Sequence, residues 1–151
     1  KFDDQEISLK ELSKKEIVST PEGTLNTQDI LATAQTKGSM FSTTSTTFTP
    51  MGMFLNLTCP KKCILWINFY TTSKNTTSAN NVNSYGLFLN SQDQGIYTQA
   101  SLPIVNGILP VSLNAALPVN AGTYTVEIQA KTTGGTLQSD ISFLQIMSFE
   151  Q

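Results

Sequence analysis

The stretch Cys63-Ile64-Leu65-Trp66-Ile67-Asn68-Phe69-Tyr70-Thr71-Thr72 decides the fold. Successive side chains of a strand point to opposite faces. Ile64, Trp66 and Tyr70 therefore share one face, and Leu65, Ile67 and Phe69 share the other. A strand apolar on both faces belongs in the middle of a sheet or at a subunit interface. Trp66, Tyr70 and, from the last apolar run, Phe149 are accordingly candidate interface residues.

The same period of two continues outward in both directions. Toward the N-terminus, Met53, Leu55 and Leu57 alternate with Phe54, Asn56 and Thr58, and Ile30, Ala32 and Ala34 alternate with Leu31, Thr33 and Gln35. Phe48 lies in a Thr-rich run. Toward the C-terminus, Tyr85, Leu87 and Leu89 are followed by apolar runs at 96–102 and 108–113. Tyr124, Val126, Ile128 and Ala130 then alternate with Thr125, Glu127 and Gln129, and 141–149 closes the chain. Asn-, Gly- and Pro-containing segments separate these runs: 90–95, Asn106-Gly107, 118–122 and Thr133-Gly134-Gly135. About eight short strands at this spacing predict an all-β, antiparallel jelly-roll sandwich. Its expected core is Leu55, Leu57, Leu65, Ile67, Phe69, Leu87, Leu89, Val111, Leu113, Tyr124, Val126, Ile128, Phe143 and Ile146.

Charge divides the chain. Residues 1–30 hold eleven of the twenty charged side chains. Residues 1–27 read as an N-terminal arm or linker and 28–151 as the jelly-roll domain. Within the arm, Ser8 and Glu11 have capping-box spacing before a narrow stripe of Leu9 and Leu12. A helix that short is marginal alone. The arm is either a solvated leader or an anchor to a neighbouring subunit.

Composition excludes several functions. The chain has no His, and all nine basic residues are Lys. The commonest general base is missing, and so is the side chain that grips phosphate in a fork. With a formal charge of −2 and scattered lysines, no nucleic-acid partner is expected. Outside residues 1–30 the carboxylates are Asp93, Glu127, Asp140 and Glu150, and no spacing pairs two of them for glycosidase chemistry. No catalytic residue, metal ligand or cofactor is expected. Charged residues make up 13% of the chain, about half the usual share, and Thr, Ser, Asn and Gln replace them. That composition suits a virion-surface or extracellular location.

Cys59 and Cys63 are the only cysteines. Separated by Pro60-Lys61-Lys62, they match neither a redox motif nor a two-pair zinc site. The simplest reading is a disulfide across a tight turn; two free thiols are the alternative. Asn56-Leu57-Thr58 and Asn75-Thr76-Thr77 are glycosylation sequons, with Asn75 the better acceptor if 73–84 is an exposed loop. That loop and 90–95 are polar, and Asn80, Asn81, Asn83 and Asp93 are the candidate binding residues there. Trp66 and Tyr70, Tyr85, Tyr97 and Tyr124 have rings of the kind that stack on sugars, although at strand spacing such rings more often serve a core or an interface.

The order of features from Phe48 onward resembles a known family. An alternating strand (53–57) turns into a long apolar one (64–70). Later come Tyr85-Gly86-Leu87-Phe88-Leu89-Asn90, then Leu117-Pro118-Val119-Asn120-Ala121-Gly122-Thr123-Tyr124-Thr125-Val126, then a last strand over 143–149. Across about residues 40–151 this is similar to trimeric jelly rolls of the complement-globular-head and tumour-necrosis-factor-like type, as found in viral and phage spikes, turrets and fibres. The resemblance implies a homotrimer and a non-enzymatic virion surface protein. Its implied partners are other surface proteins, through the arm, and a host glycan or protein receptor. It brings no catalytic or metal residues with it. A carbohydrate-binding module and a subunit of a cell-surface filament, its arm completing a neighbour's sheet, are the alternatives.

Overall fold

A computed structural model describes residues 30–151. The expected arm at 1–27 lies outside the described residues. Among the described residues ten strands form, in chain order: β1 (Ile30–Gly38), β2 (Phe41–Thr43), β3 (Thr49–Cys59), β4 (Cys63–Asn75), β5 (Asn81–Leu89), β6 (Gln92–Leu102), β7 (Leu109–Val119), β8 (Gly122–Thr132), β9 (Leu137–Ser139) and β10 (Ser142–Glu150). The two beyond the expected eight are the three-residue strands β2 and β9, too short to show a period in the sequence.

All pairings are antiparallel. The first sheet is built on β4. β7 runs along one side of it; β10 and then β9 share the other side, β10 against Cys63–Tyr70 and β9 against Ser73–Asn75. β1 and β2 continue outward from β10 and β9. The second sheet has the order β3-β8-β5-β6. After β3, the β5–β6 hairpin and the β9–β10 connection stay within one sheet; the connections β3–β4, β4–β5, β6–β7, β7–β8 and β8–β9 all cross the sandwich. That alternation makes a jelly roll.

The tight turns use the residues their geometry needs. Asn90 and Ser91 carry φ of 50° and 66° and join Leu89 to Gln92, a two-residue hairpin turn. Cys59 ends β3 and Cys63 begins β4, and they form a disulfide at the corner where the chain passes between sheets.

The interior has two halves. One is apolar: Leu57, Leu65, Ile67, Leu87, Val126, Ile128, Leu144 and Ile146 are buried in it. The other is polar. Along β4 the inward positions continue from Phe69 to Thr71, Ser73 and Asn75, each fully buried. Their hydroxyls and amides bond to one another, which limits the cost of burying them. Tyr85 Oη donates to Ser73 Oγ (2.6 Å) and shares a second hydrogen bond with Ser139 Oγ (2.6 Å). Ser142 Oγ donates to Thr71 Oγ1 at 2.8 Å. Burial pushes the Tyr85 hydroxyl above the ordinary tyrosine value, and its two serine contacts only partly offset this.

The expected core needs one correction. Phe143 is 47% exposed, because Leu144 and Ile146 set the inward parity of β10 and Phe143 stands on the opposite face. Leu55, Leu89 and Tyr124 pack at the core's margin, and the other expected members are buried.

Candidate binding surfaces

The structure does not bring the four candidate loop residues together. The segment 73–84 is mostly strand, and only Thr76–Asn80 forms a loop. Asn80 is exposed there, with φ of 60°. Asn81 is half-buried and donates to Ser78 Oγ and Ala79 O within that loop. Asn83 is fully buried rather than exposed. It stands at an inward position of β5, and its Nδ2 donates to Ser73 Oγ (2.9 Å) and Lys74 O (3.0 Å). Its Oδ1 is the buried side-chain atom left without a partner among the described residues. Asp93 lies opposite Phe88 near the other end of β5, roughly 17 Å from Asn83 at strand spacing, on β6 rather than in a long loop.

Asn75 is likewise buried, not a surface acceptor. Its Oδ1 accepts from the backbone N of Thr77, Ser78 and Thr136, and its Nδ2 donates to Gly134 O at 2.8 Å. Its own carbonyl accepts from Asn106 N at 2.8 Å. One side chain and one carbonyl thus hold three loops at this end of the sandwich. An amide used in this way has no room for a glycan. Asn56 is exposed on β3, and its Oδ1 accepts from Thr125 Oγ1 at 2.6 Å.

The candidate interface residues do share a surface. On the outer face of the first sheet, Trp66 and Tyr70 of β4 are 48% and 44% exposed. Register places Met147 and Ala116 beside Trp66, and Phe143 and Ser112 beside Tyr70. Phe149 meets Trp66 edge to face, with centroids 6.2 Å apart. Between these two rows lies a polar row of Asn68, Gln145 and Asn114. Lys37, 5.7 Å from the Phe143 ring, stands at its margin, as does Asp140, which accepts from Thr72 Oγ1 one outward position beyond Tyr70.

A second aromatic surface, on the outer face of β3-β8-β5-β6, joins Tyr97, one of the sugar-stacking rings named from the sequence, to Phe54, which was not. Phe54 and Tyr97 there are 51% and 49% exposed. Their parity opposite Met53, Leu55, Ile96 and Thr98 was the available signal.

Among the described residues, no group of three or more His, Cys, Asp or Glu side chains could hold a metal ion. No described helix is long and apolar enough to cross a membrane.

No protein-family model and no curated protein matches the sequence. Solved structures do match in fold. A tumour necrosis factor protein, Eiger from S. frugiperda, aligns over 79% of this chain and 94% of its own length, with a TM-score of 0.50 at 10% identity. A chain from the structure of the infectious bursal disease virus Gt strain aligns over 87% of this chain, with a TM-score of 0.54 at 9% identity. This chain spans 41% of that viral protein. A chain from the T13 particle of the same virus aligns over 84% of this chain and 34% of its own length, with a TM-score of 0.52 at 11% identity. The fold is therefore a jelly roll, the architecture expected from the order of strands and turns.

Proposed function

We propose that this chain is a non-enzymatic structural protein of a virion or extracellular surface, working as a self-assembled unit. The observation that carries the reading is the half-exposed cluster of Trp66, Tyr70 and Phe143 on the two central strands of a sheet. Clustered exposed rings on a soluble domain mark an interaction surface. This one is nearly free of charge, so copies of the chain can pack against it without bringing like charges together. Similarity to trimeric jelly rolls favours three copies. The likeness in fold to chains of a viral particle supports the virion setting. In this reading residues 1–27 extend to neighbouring surface proteins, and the loops and remaining sheet face are left for a receptor.

Multi-angle light scattering over a dilution series tests the assembly. The expected result is a trimer at high concentration that dissociates on dilution. A monomer throughout, at concentrations up to the solubility limit, overturns it.

A further inference from the structure

The outer face of the second sheet sets its rings among hydrogen-bonding groups. Register brings Phe54 of β3, Glu127 of β8, Phe88 of β5 and Asp93 of β6 into one row across the four strands. The next row holds Gln129 of β8, Gly86 of β5 and Tyr97 of β6. Gly86 shapes this face. A Cβ there would stand 3.0 Å from Phe48 Cζ and 3.1 Å from Tyr97 Cδ1. Without one, the Phe48 ring lies over the strand and stacks on Tyr97, with centroids 5.3 Å apart and planes 23° apart. The Lys131 ammonium caps the Phe48 ring at 4.6 Å from its centroid.

Tyr97 is also held at its hydroxyl. Its Oη donates to Asp93 Oδ2 at 2.7 Å, and Asp93 Oδ1 accepts from Gly95 N at 2.8 Å. A bulge makes this possible: between the pairs at Gly86 and Phe88, β6 advances from Tyr97 to Asp93 and so carries extra residues, Gly95 among them at φ 70°. The ring is thus anchored by stacking and by a tether while remaining half exposed. In the middle of the face, Gln129 Nε2 donates to Glu127 Oε1 at 2.8 Å. That bond orients the pair and leaves the second carboxylate oxygen and the amide carbonyl as acceptors.

A pre-positioned ring beside fixed acceptors suits a pyranose. The sugar's C–H face stacks on the aromatic ring, and its hydroxyls donate to the carboxylate in short, charge-assisted bonds. Phe54 and Tyr97 stand on the two edge strands one row apart, roughly 16 Å from each other at three strand spacings across and two residues along, which is longer than one sugar ring. A neutral polyhydroxyl ligand satisfies these acceptors without a counter-charge that must be stripped of water. We infer that this face binds a neutral oligosaccharide. Tyr97 and Phe54 stack on its rings, and Glu127 and Gln129 accept from its hydroxyls. The inference rests on the surface reading only for where the glycan comes from in nature, and binding itself is independent of assembly.

The test applies the labelled full chain to a printed array of neutral glucan, mannan, galactan and N-acetyllactosamine oligosaccharides, with sialylated versions alongside. Binding to at least one neutral series is expected. Tyr97→Ala and, separately, Glu127→Gln should each weaken it at least about tenfold, a loss of about 1.4 kcal/mol. Glu127→Gln preserves shape, so it reports on chemistry even if Tyr97→Ala disturbs the fold. Binding to no neutral series, binding only to sialylated glycans, or binding unchanged in both variants overturns the inference. Light scattering on the same samples keeps the two ideas apart. A trimer that binds no glycan rejects this inference alone, and a monomer that binds one rejects only the assembly.

Discussion

The two outer faces of the sandwich expose aromatic rings to nearly the same degree. Trp66, Tyr70 and Phe143 are 44–48% exposed on the first sheet, and Phe54 and Tyr97 are 49–51% exposed on the second. They differ in what stands beside the rings. On the first face the registered neighbours are Met147, Ala116 and Ser112, which offer contact area, with Lys37 over the Phe143 ring and no carboxylate among them. On the second they are Glu127, Gln129 and Asp93, with Lys131 over a ring. The hydroxyl of Tyr70 has no hydrogen-bond partner among the described residues, whereas that of Tyr97 is tethered to Asp93. Exposure of a ring alone therefore says little about its use. An untethered ring among apolar neighbours suits a surface that another copy will cover. A tethered ring among acceptors suits a ligand with hydroxyls.

The most direct way to break this comparison is to put negative charge on each face in turn. Trp66→Glu combined with Tyr70→Glu should weaken self-association by at least about tenfold, the effect of losing central aromatic contacts. All the replaced groups are half exposed, so the far-ultraviolet circular dichroism should keep its β form. Phe54→Glu should leave the molar mass by light scattering unchanged. If Phe54→Glu dissociates the assembly and the double variant does not, the two faces have been assigned the wrong way round.

A smaller effect sharpens the idea that both faces rest on one core. The Cys59–Cys63 bond links the end of β3 in one sheet to the start of β4 in the other. Replacing both cysteines with Ser should lower stability by about 2 kcal/mol on the loop-entropy account. Denaturant unfolding should nonetheless remain a single transition, reported alike by Trp66 fluorescence and by circular dichroism. Two separate transitions would mean that the sheets unfold independently and that the faces do not share a foundation.

Much of the fold follows from parity, and most misreadings came from setting parity aside. Leu65, Ile67 and Phe69 are inward as alternation requires. Continuing the count along β4 reaches Thr71, Ser73 and Asn75, which are inward too. Their polarity suggests a loop, yet they are buried because Tyr85, Asn83 and Ser139 supply hydrogen bonds across the interior. Those partners are distant in sequence, so single residues could not reveal them. The same count places Asn83 with Tyr85 and Leu87, and Phe143 opposite Leu144. The first face was legible from Trp66 and Tyr70, since they lie on one strand. The second was not, because Phe48, Phe54, Gly86, Glu127 and Tyr97 meet only through the pairing of β3, β8, β5 and β6 and the loop before β3.

The finest distinction between the faces is the tether on Tyr97, and it can be read by titration. The Tyr97 hydroxyl is held above the ordinary tyrosine value. The main cause is the hydrogen bond it donates to Asp93; a smaller desolvation and the carboxylate's negative charge act in the same direction. A phenolate formed there loses that bond and faces a like charge. The folded value lies above the unfolded one, so the contact contributes stability below the unfolded phenol value of about 10. That contribution disappears as pH rises through the folded value. Between neutral pH and about 9 it should therefore be constant. Asp93→Asn removes the charge and should bring the Tyr97 midpoint back down toward the ordinary value. Tyrosinate ultraviolet absorbance measures this, taking each protein minus its Tyr97→Phe counterpart to isolate the one residue. A midpoint unmoved by Asp93→Asn would show that the ring is untethered in solution, and the second face would then differ from the first only in the charges around it.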